Sequence, residues 1–400
     1  MAIETFGKIQ QAAIKAGGAF SALFIFAIYF STSVSVIVSV ILAVSWLLSA
    51  QFKGLPNTLK HYPVSAWSLA LFVCFIIGAS YGSAAPNEAF SLIKKYRELF
   101  FIPVLIAFLQ IGQYRDWTWK VFILASVLTL LGSFLMGMGL LGADNQLDPS
   151  FKSRITHSIF IAFFAFFCLH KFYDAMRPNK LYLVLFSLCV VDLFFIVQGR
   201  TGQMITIALI LLFALQRLSK KKRLFIVLVV ALLLTLFVNF SDKASRIFEA
   251  VNDTQSYLDS ETDQGGSSMG QRYSFWENSV KLIAEKPLLG YGTGSFNKEY
   301  QRIANGERIL TRNPHNEFLM ITIQLGLLGL LVYLGFLGSQ YYYARTLPNP
   351  EKWLAQGLLL SLLITSFFNT PFLDHTEGHW FATMIALCFA ASPNNSSRHA

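Results

Sequence analysis

Charge is scarce in this chain. Only 14% of its 400 residues are Asp, Glu, Lys or Arg, whereas 54% are hydrophobic and the mean hydropathy is +0.51. A soluble domain of this length needs far more charge to cover its surface, so that class is excluded. Cysteine is sparse as well. Cys74, Cys168, Cys189 and Cys388 each fall inside an apolar block, with no CxxC or other metal-ligand spacing. They read as small core residues, which excludes a disulfide framework. No basic patch with interleaved aromatics occurs, so the formal net charge of +10 does not point to nucleic acid. A small-residue cleavage site is lacking after the weakly amphipathic Met1–Ala16, so the first apolar block is expected to be retained.

Long apolar runs are what the chain has. They come in blocks of roughly 17–25 residues, the length that crosses ~30 Å of hydrocarbon. The predicted spans are 17–33, 35–51, 64–82, 97–112, 118–141, 155–172, 181–198, 201–217, 224–240, 316–342, 354–371 and 379–392. The first two come from one run, with Ser31, Thr32 and Ser33 marking the reversal; a single tilted span over 17–51 is the alternative. This is an all-α polytopic membrane protein with about 12 transmembrane helices, divided as 1–240, a long polar loop 241–315, and 316–400.

The shortest and most basic loop, Arg217-Leu-Ser-Lys-Lys-Lys-Arg223, fixes the orientation. Positive residues stay on the cytoplasmic side. Alternating outward from it, the other cytoplasmic segments hold Lys8 and Lys15, Lys53 and Lys60, Arg115 and Lys120, Lys171, Arg177 and Lys180, Arg345 and Lys352, and Arg398. Both termini are then inside. The external face receives 86–97, 143–154, the Gly199-Arg200-Thr201-Gly202 turn, the long loop and 371–378. Basic residues kept on that face need another reason, and anionic substrates supply one. The long loop has nine Lys/Arg against ten Asp/Glu, so an anion site there must use particular arginines rather than bulk charge.

The loop opens with a polar, Gly/Ser-rich stretch containing Asp259, Asp263, Gly265, Gly266 and Ser267. Neither aspartate stands at a spacing that suggests a metal site. A helix is then predicted from Ser268, which with Gln271 has capping-box spacing. Apolar residues recur at Phe275, Trp276, Val280, Ile283 and Ala284 until Pro287. Arg272 lies in its first turn, where a helix N-terminus and a guanidinium make an anion site; the plain alternative is a surface arginine. The run Gly290-Tyr-Gly-Thr-Gly-Ser-Phe296 follows no strand and no βαβ unit, so it reads as a tightly packed turn rather than a nucleotide loop. The loop closes on Arg308, Arg312, Asn313, Pro314, His315 and Asn316. A histidine at a span mouth suits general-base work near neutral pH, although a lone histidine is more often structural.

His315-Asn316, nine residues, then Gly326-Leu-Leu-Gly329 resembles the H-[N/S/Q]-x9-G-x-x-G signature of the O-antigen ligase and polymerase-like family of bacterial membrane glycosyltransferases. The stretch from Arg272 through Trp276 to Phe296 is similar to that family's loop helix and glycine turn. Arg200 stands where the family has another key arginine. Leu330 departs from the Gly, Thr or Tyr often found after the second glycine. At this length the chain looks more like a ligase than like the longer protein-modifying relatives, with polymerases of similar length still open.

The resemblance implies a GT-C-like fold in the bacterial inner membrane, with its site facing the periplasm. It implies transfer of polysaccharide from undecaprenyl pyrophosphate to a lipid A–core sugar hydroxyl, in lipopolysaccharide biosynthesis. The partners are then the lipid-linked O-antigen, lipid A–core and membrane lipids. Arg200 and Arg272 would hold the departing pyrophosphate and His315 would receive the acceptor proton, without metal or cofactor and with inversion. Secondary candidates are Lys94, Lys95 and Arg97, as phosphate contacts or as snorkelling anchors; Asn316; and Asp374, which either orients His315 or caps a helix with its neighbours His375, Glu377 and His379. Asp192, inside a span, is either functional or hydrogen-bonded packing, and His157 lies at a span. The rival class is a transporter. It is disfavoured because the long loop has no counterpart in the first half.

Overall fold

The computed structural model describes residues 2–142, 149–174, 179–241, 248, 252–255, 268–304 and 310–391. Among these the chain is all-helical, with no strand. In order the helices are α1 (Ala2–Phe30), α2 (Thr32–Leu48), α3 (Leu55–His61), α4 (Pro63–Tyr81), α5 (Pro86–Tyr96), α6 (Glu98–Leu109), α7 (Gly112–Gly137) and α8 (Arg154–Asp174). They continue as α9 (Lys180–Val191), α10 (Arg200–Arg217), α11 (Lys220–Phe240), α12 (Ser268–Glu285), α13 (Phe296–Ile303), α14 (Glu317–Ala344), α15 (Glu351–Phe368) and α16 (His375–Phe389).

Local chemistry sets the boundaries. Pro56, Pro63 and Pro86 occupy first-turn positions where no backbone donor is lost. Ser31, Asn179, Asn316 and Asp374 each cap the helix that follows by accepting a backbone N–H. Helices α6, α8 and α16 are buried on nearly all sides and form the centre with their Phe, Ile and Ala side chains. α6 packs on α16, α8 on α9 and α10, and α4 on α14. α11 is apolar all round yet buries none of its residues, as a lipid-facing helix does.

Among the described residues, six helices are long and apolar enough to cross a membrane: Phe6–Phe30, Pro63–Tyr81, Gly112–Gly137, Arg154–Asp174, Lys220–Phe240 and Glu317–Ala344. Thr32–Leu48 with Gln51–His61, bent by 77°, makes a seventh if the pair is one span. The protein is therefore a multi-pass membrane protein. Several other apolar blocks form shorter helices than expected. The block 97–112 is broken at Arg97 and leaves the 12-residue α6; the block 181–198 leaves the 12-residue α9, because the chain widens into a π-helical turn over Asp192–Ile196. The first apolar run does turn at Ser31, and α1 and α2 pack against one another.

One feature of α14 positions the site. Gly326 breaks the helix with φ 66° and ψ −168°. Into that break docks the segment 287–294. Tyr291 and Gly292 donate their N–H groups to the Ile323 and Gln324 carbonyls (2.9 and 2.8 Å), and Leu327 donates to the Pro287 carbonyl (2.8 Å). A Cβ at Gly326 would collide with the Leu288 carbonyl, and one at Gly292 (φ 84°) with the backbone of Gly82. The glycine turn thus replaces helix hydrogen bonds with bonds between segments.

Asp259, Asp263, Gly265, Gly266, Ser267 and Arg308 lie outside the described residues, as does the Ser268 side chain on which the capping box rests. α12 opens at Ser268 and lies on α14 and α13.

Candidate functional site

His315 stands in a turn built by its neighbours. Its N–H donates to Asn313 Oδ1 (2.8 Å), and its own φ is 51°, a left-handed conformation that histidine tolerates better than most residues. Asn316 accepts from the Leu319 N–H (3.0 Å) and donates to the Phe367 carbonyl (3.1 Å), which ties the mouth of α14 to the end of α15. Asn316 is thus a capping residue. Trp276 Nε1 donates to the Pro314 carbonyl (3.0 Å) and Phe275 lies along the imidazole with ring centroids 6.4 Å apart. α12 is therefore fastened to the histidine turn.

That fastening brings Arg272, one turn earlier on α12, to the same place. Arg272 is half-buried; burial and then the charge of Arg200 lower its pKa from the ordinary arginine value. Burial, and then the charge of Arg272, push the His315 imidazole below the ordinary histidine value, with a hydrogen bond from the imidazole to Asn369 opposing. His315 Nδ1 is buried without a partner. Arg200 is the first residue of α10, and Gly202 presses that helix end against Ser158 of α8. Two guanidiniums, a helix N-terminus and an imidazole held neutral thus converge from three separate parts of the chain. Such a set can take a polyanionic group and accept a proton beside it.

Residues 182–334 match the family model described as O-antigen ligase. This part of the chain is similar to the O-antigen ligase-type family. The matched segment contains Arg200, Arg272, His315, Gly326 and Gly329. A Rickettsia conorii protein named "Putative polysaccharide ligase" is 34% identical over 94 residues, 21% of this chain and 22% of that protein. One of the same description from Rickettsia typhi is 32% identical over 148 residues, 35% of this chain and 33% of its own. A Haemophilus influenzae protein described only as uncharacterized is 24% identical over 205 residues, 48% of this chain and 51% of its own. The chain thus spans about half or less of the length of these relatives.

Around this family-matched segment, the secondary candidates divide. Asp374 is the exposed N-cap of α16; its Oδ1 accepts from the Thr376 and Glu377 N–H groups (2.9 and 3.1 Å), and its charge acts on Lys152. Orientation of His315 by Asp374 is therefore corrected: its carboxylate is turned onto amides. Sequence reading missed Asn369, and it named Glu377 only as a neighbour of Asp374. Asn369 bonds toward His315 and donates to Glu377 Oε2 (3.1 Å), and the buried Glu377 takes a second bond from Thr156 on α8 (3.1 Å). No spacing marks them, since the link exists only once α8, α14 and α16 meet.

Lys94 is exposed, its ammonium 4.8 Å from the Phe90 ring centroid, and Arg97 donates to the Lys94 carbonyl (2.9 Å). Lys95, between them, instead lines a cavity of about 360 Å³ with Arg312, Asn87, Asn297 and Gln324. Asp192 is buried and bonded to His157 Nε2 (2.7 Å) and Ser133, so its carboxylate is fully engaged in packing between α7, α8 and the π-helical turn. Among the described residues, one set of side chains is grouped closely enough to hold a metal ion: Glu98, His375 and His379.

Proposed function

We propose that this protein is an O-antigen ligase. It transfers polysaccharide from undecaprenyl pyrophosphate to a sugar hydroxyl of lipid A–core at the periplasmic face of the bacterial inner membrane. The observation that carries this reading is the convergence of Arg200, Arg272 and His315 within a family-matched segment. In the reaction the acceptor oxygen attacks the anomeric carbon. The bond from that carbon to the pyrophosphate oxygen breaks, and the pyrophosphate leaves with the electron pair. Arg200 and Arg272 meet the growing charge with charge-assisted hydrogen bonds that a metal would otherwise supply. His315 takes the acceptor proton, and its lowered pKa keeps it neutral and able to do so near pH 7. A single displacement inverts the anomeric centre.

We read twelve spans with both termini inside, which puts these three residues on the external side; in that reading α6, α9, α10, α15 and α16 join the seven candidate spans above. The cavity beside Lys95 and Arg312 is rich in amides and carries two cations against one carboxylate, Glu88, which suits a phosphorylated acceptor sugar. The test is reconstitution of the purified chain with labelled lipid-linked glycan and core acceptor. Covalent product on lipid A–core supports ligation. Product on a second lipid-linked chain would make it a polymerase, and movement without product would make it a transporter. His315→Ala, Arg200→Ala and Arg272→Ala should each abolish product, and the rate should not depend on added divalent ion.

A further inference from the structure

Glu98, His375 and His379 take no part in the transfer chemistry above. His375 and His379 stand four residues apart at the start of α16, which places both rings on one face. Glu98 opens α6, the helix packed against it. One ligand atom from each of the three residues lies within 4.8 Å of the other two. Glu98 Oε1 is 3.0 Å from His375 Nδ1. Tetrahedral zinc, with bonds of ~2.0–2.1 Å, sets its ligand atoms roughly 3.3 Å apart. With His379 Nδ1 turned to the His375 carbonyl, Nε2 is the nitrogen left for an ion.

Two further observations point to a ligand. Glu98 and His379 are 0% and 1% exposed, yet Glu98 Oε2 and His379 Nε2 have no hydrogen-bond partner. Buried polar atoms without partners are rare, and a bound ion is one of the few explanations. A buried carboxylate is tolerated when it is paired or coordinates a metal. His379 Nδ1 also lies 2.6 Å from the His375 carbonyl, the kind of backbone bond that orients metal-binding imidazoles. The frame is rigid: Phe24 meets the His379 ring edge-on at 5.2 Å, and a Cβ at Gly378 would lie 3.3 Å from Glu98 Cγ. His375, 34% exposed, gives an entry path and an open fourth position. The adjoining charge that opposes a cation is Arg97, which turns one N–H to the Lys94 carbonyl.

We propose that Glu98, His375 and His379 bind a divalent first-row transition metal, with zinc the best match to two imidazoles and one carboxylate. The ion joins the start of α6 to the start of α16. It thereby braces the 369–377 turn, whose ends hold Asn369 and Glu377 behind His315. The site is structural and stands or falls independently of the transfer reading.

The test uses the full chain purified in detergent without chelator, and its readouts do not involve turnover. Elemental analysis should find zinc near one ion per chain. Cobalt added after zinc removal should give the visible absorption bands of a tetrahedral ion. Zinc removal should lower the unfolding temperature, and zinc should restore it. His375→Asn, at the partly exposed ligand, should weaken zinc binding by more than the roughly 10–100-fold that losing an outer-shell partner costs. Glu98→Gln should do the same; if it does not accumulate, His375→Asn decides. Zinc far below one per chain together with no cobalt bands would overturn the proposal, as would unchanged zinc affinity in His375→Asn.

Discussion

Arg200 and Arg272 hold two guanidinium charges against each other, one at the first residue of α10 and one in the first turn of α12. Two neighbouring cations raise the energy of the empty site and are relieved when a polyanion enters between them. Replacing either by lysine keeps the charge but loses the planar fork that grips phosphate oxygens. Arg272→Lys is expected to lower kcat/KM by about 10²–10³-fold, the scale of losing one transition-state donor. Membrane abundance should stay at the wild-type level. Initial rates on purified, reconstituted protein measure the first, and quantitative blotting measures the second.

The pH dependence follows from His315. Its pKa lies below the ordinary 6.5 because of burial and then Arg272. The base is the neutral ring, so the acid limb of kcat/KM should fall below pH 6.5 rather than above it. Arg272→Gln removes a charge that lowers the value and should move the His315 titration upward. Because that variant turns over poorly, the titration is followed by the pH dependence of diethyl pyrocarbonate modification at His315, read by mass spectrometry. An acid limb above pH 7 in the wild-type protein would remove His315 as the base.

Asn369 is expected to act through the histidine. Asn369→Ala should reduce kcat by about 10–100-fold with KM little changed, as a misplaced catalytic group does. It should also move the His315 titration down, because the lost hydrogen bond raises that pKa. Glu377→Ala, which leaves the Asn369 amide unpaired, should resemble it. Glu377→Gln can still accept from Asn369 and should be mild. A purely structural pair would lower the unfolding temperature without moving the titration.

Gly326 and Gly292 are expected to fail in folding rather than in chemistry. Alanine at either position meets backbone and a left-handed φ, the second alone costing about 1–3 kcal/mol. Both variants should unfold at lower temperature. Hydrogen exchange should show faster amide exchange at Tyr291, Gly292 and Leu327, whose N–H groups bridge the turn and α14.

Different parts of this molecule were legible in the sequence to different degrees. Arg200, Arg272 and His315 stood out because basic residues on the external face call for a reason and because the spaced histidine motif resembles a known family's. Glu377 and Asn369 did not, because a carboxylate and an amide between two apolar blocks look the same whether they cap a helix or reach another one. Asp374, two residues before Thr376, does cap, and only the fold separates it from Glu377. Hydropathy located the apolar blocks but not their breaks. The π-helical turn at Asp192 and Gly326 interrupt runs whose composition is continuous. Gly326 in particular reads as an ordinary small residue in a helix until a second backbone occupies its place.

The break at Gly326 also bears on how genetics would describe this protein. A selection for loss of surface polysaccharide would recover changes at Gly292 and Gly326 beside changes at His315, with the same phenotype and equal severity. A map drawn from such mutants would count the glycines as part of the active centre. Only purified variants would separate the two groups, since His315→Ala should melt like the wild type while Gly326→Ala should not.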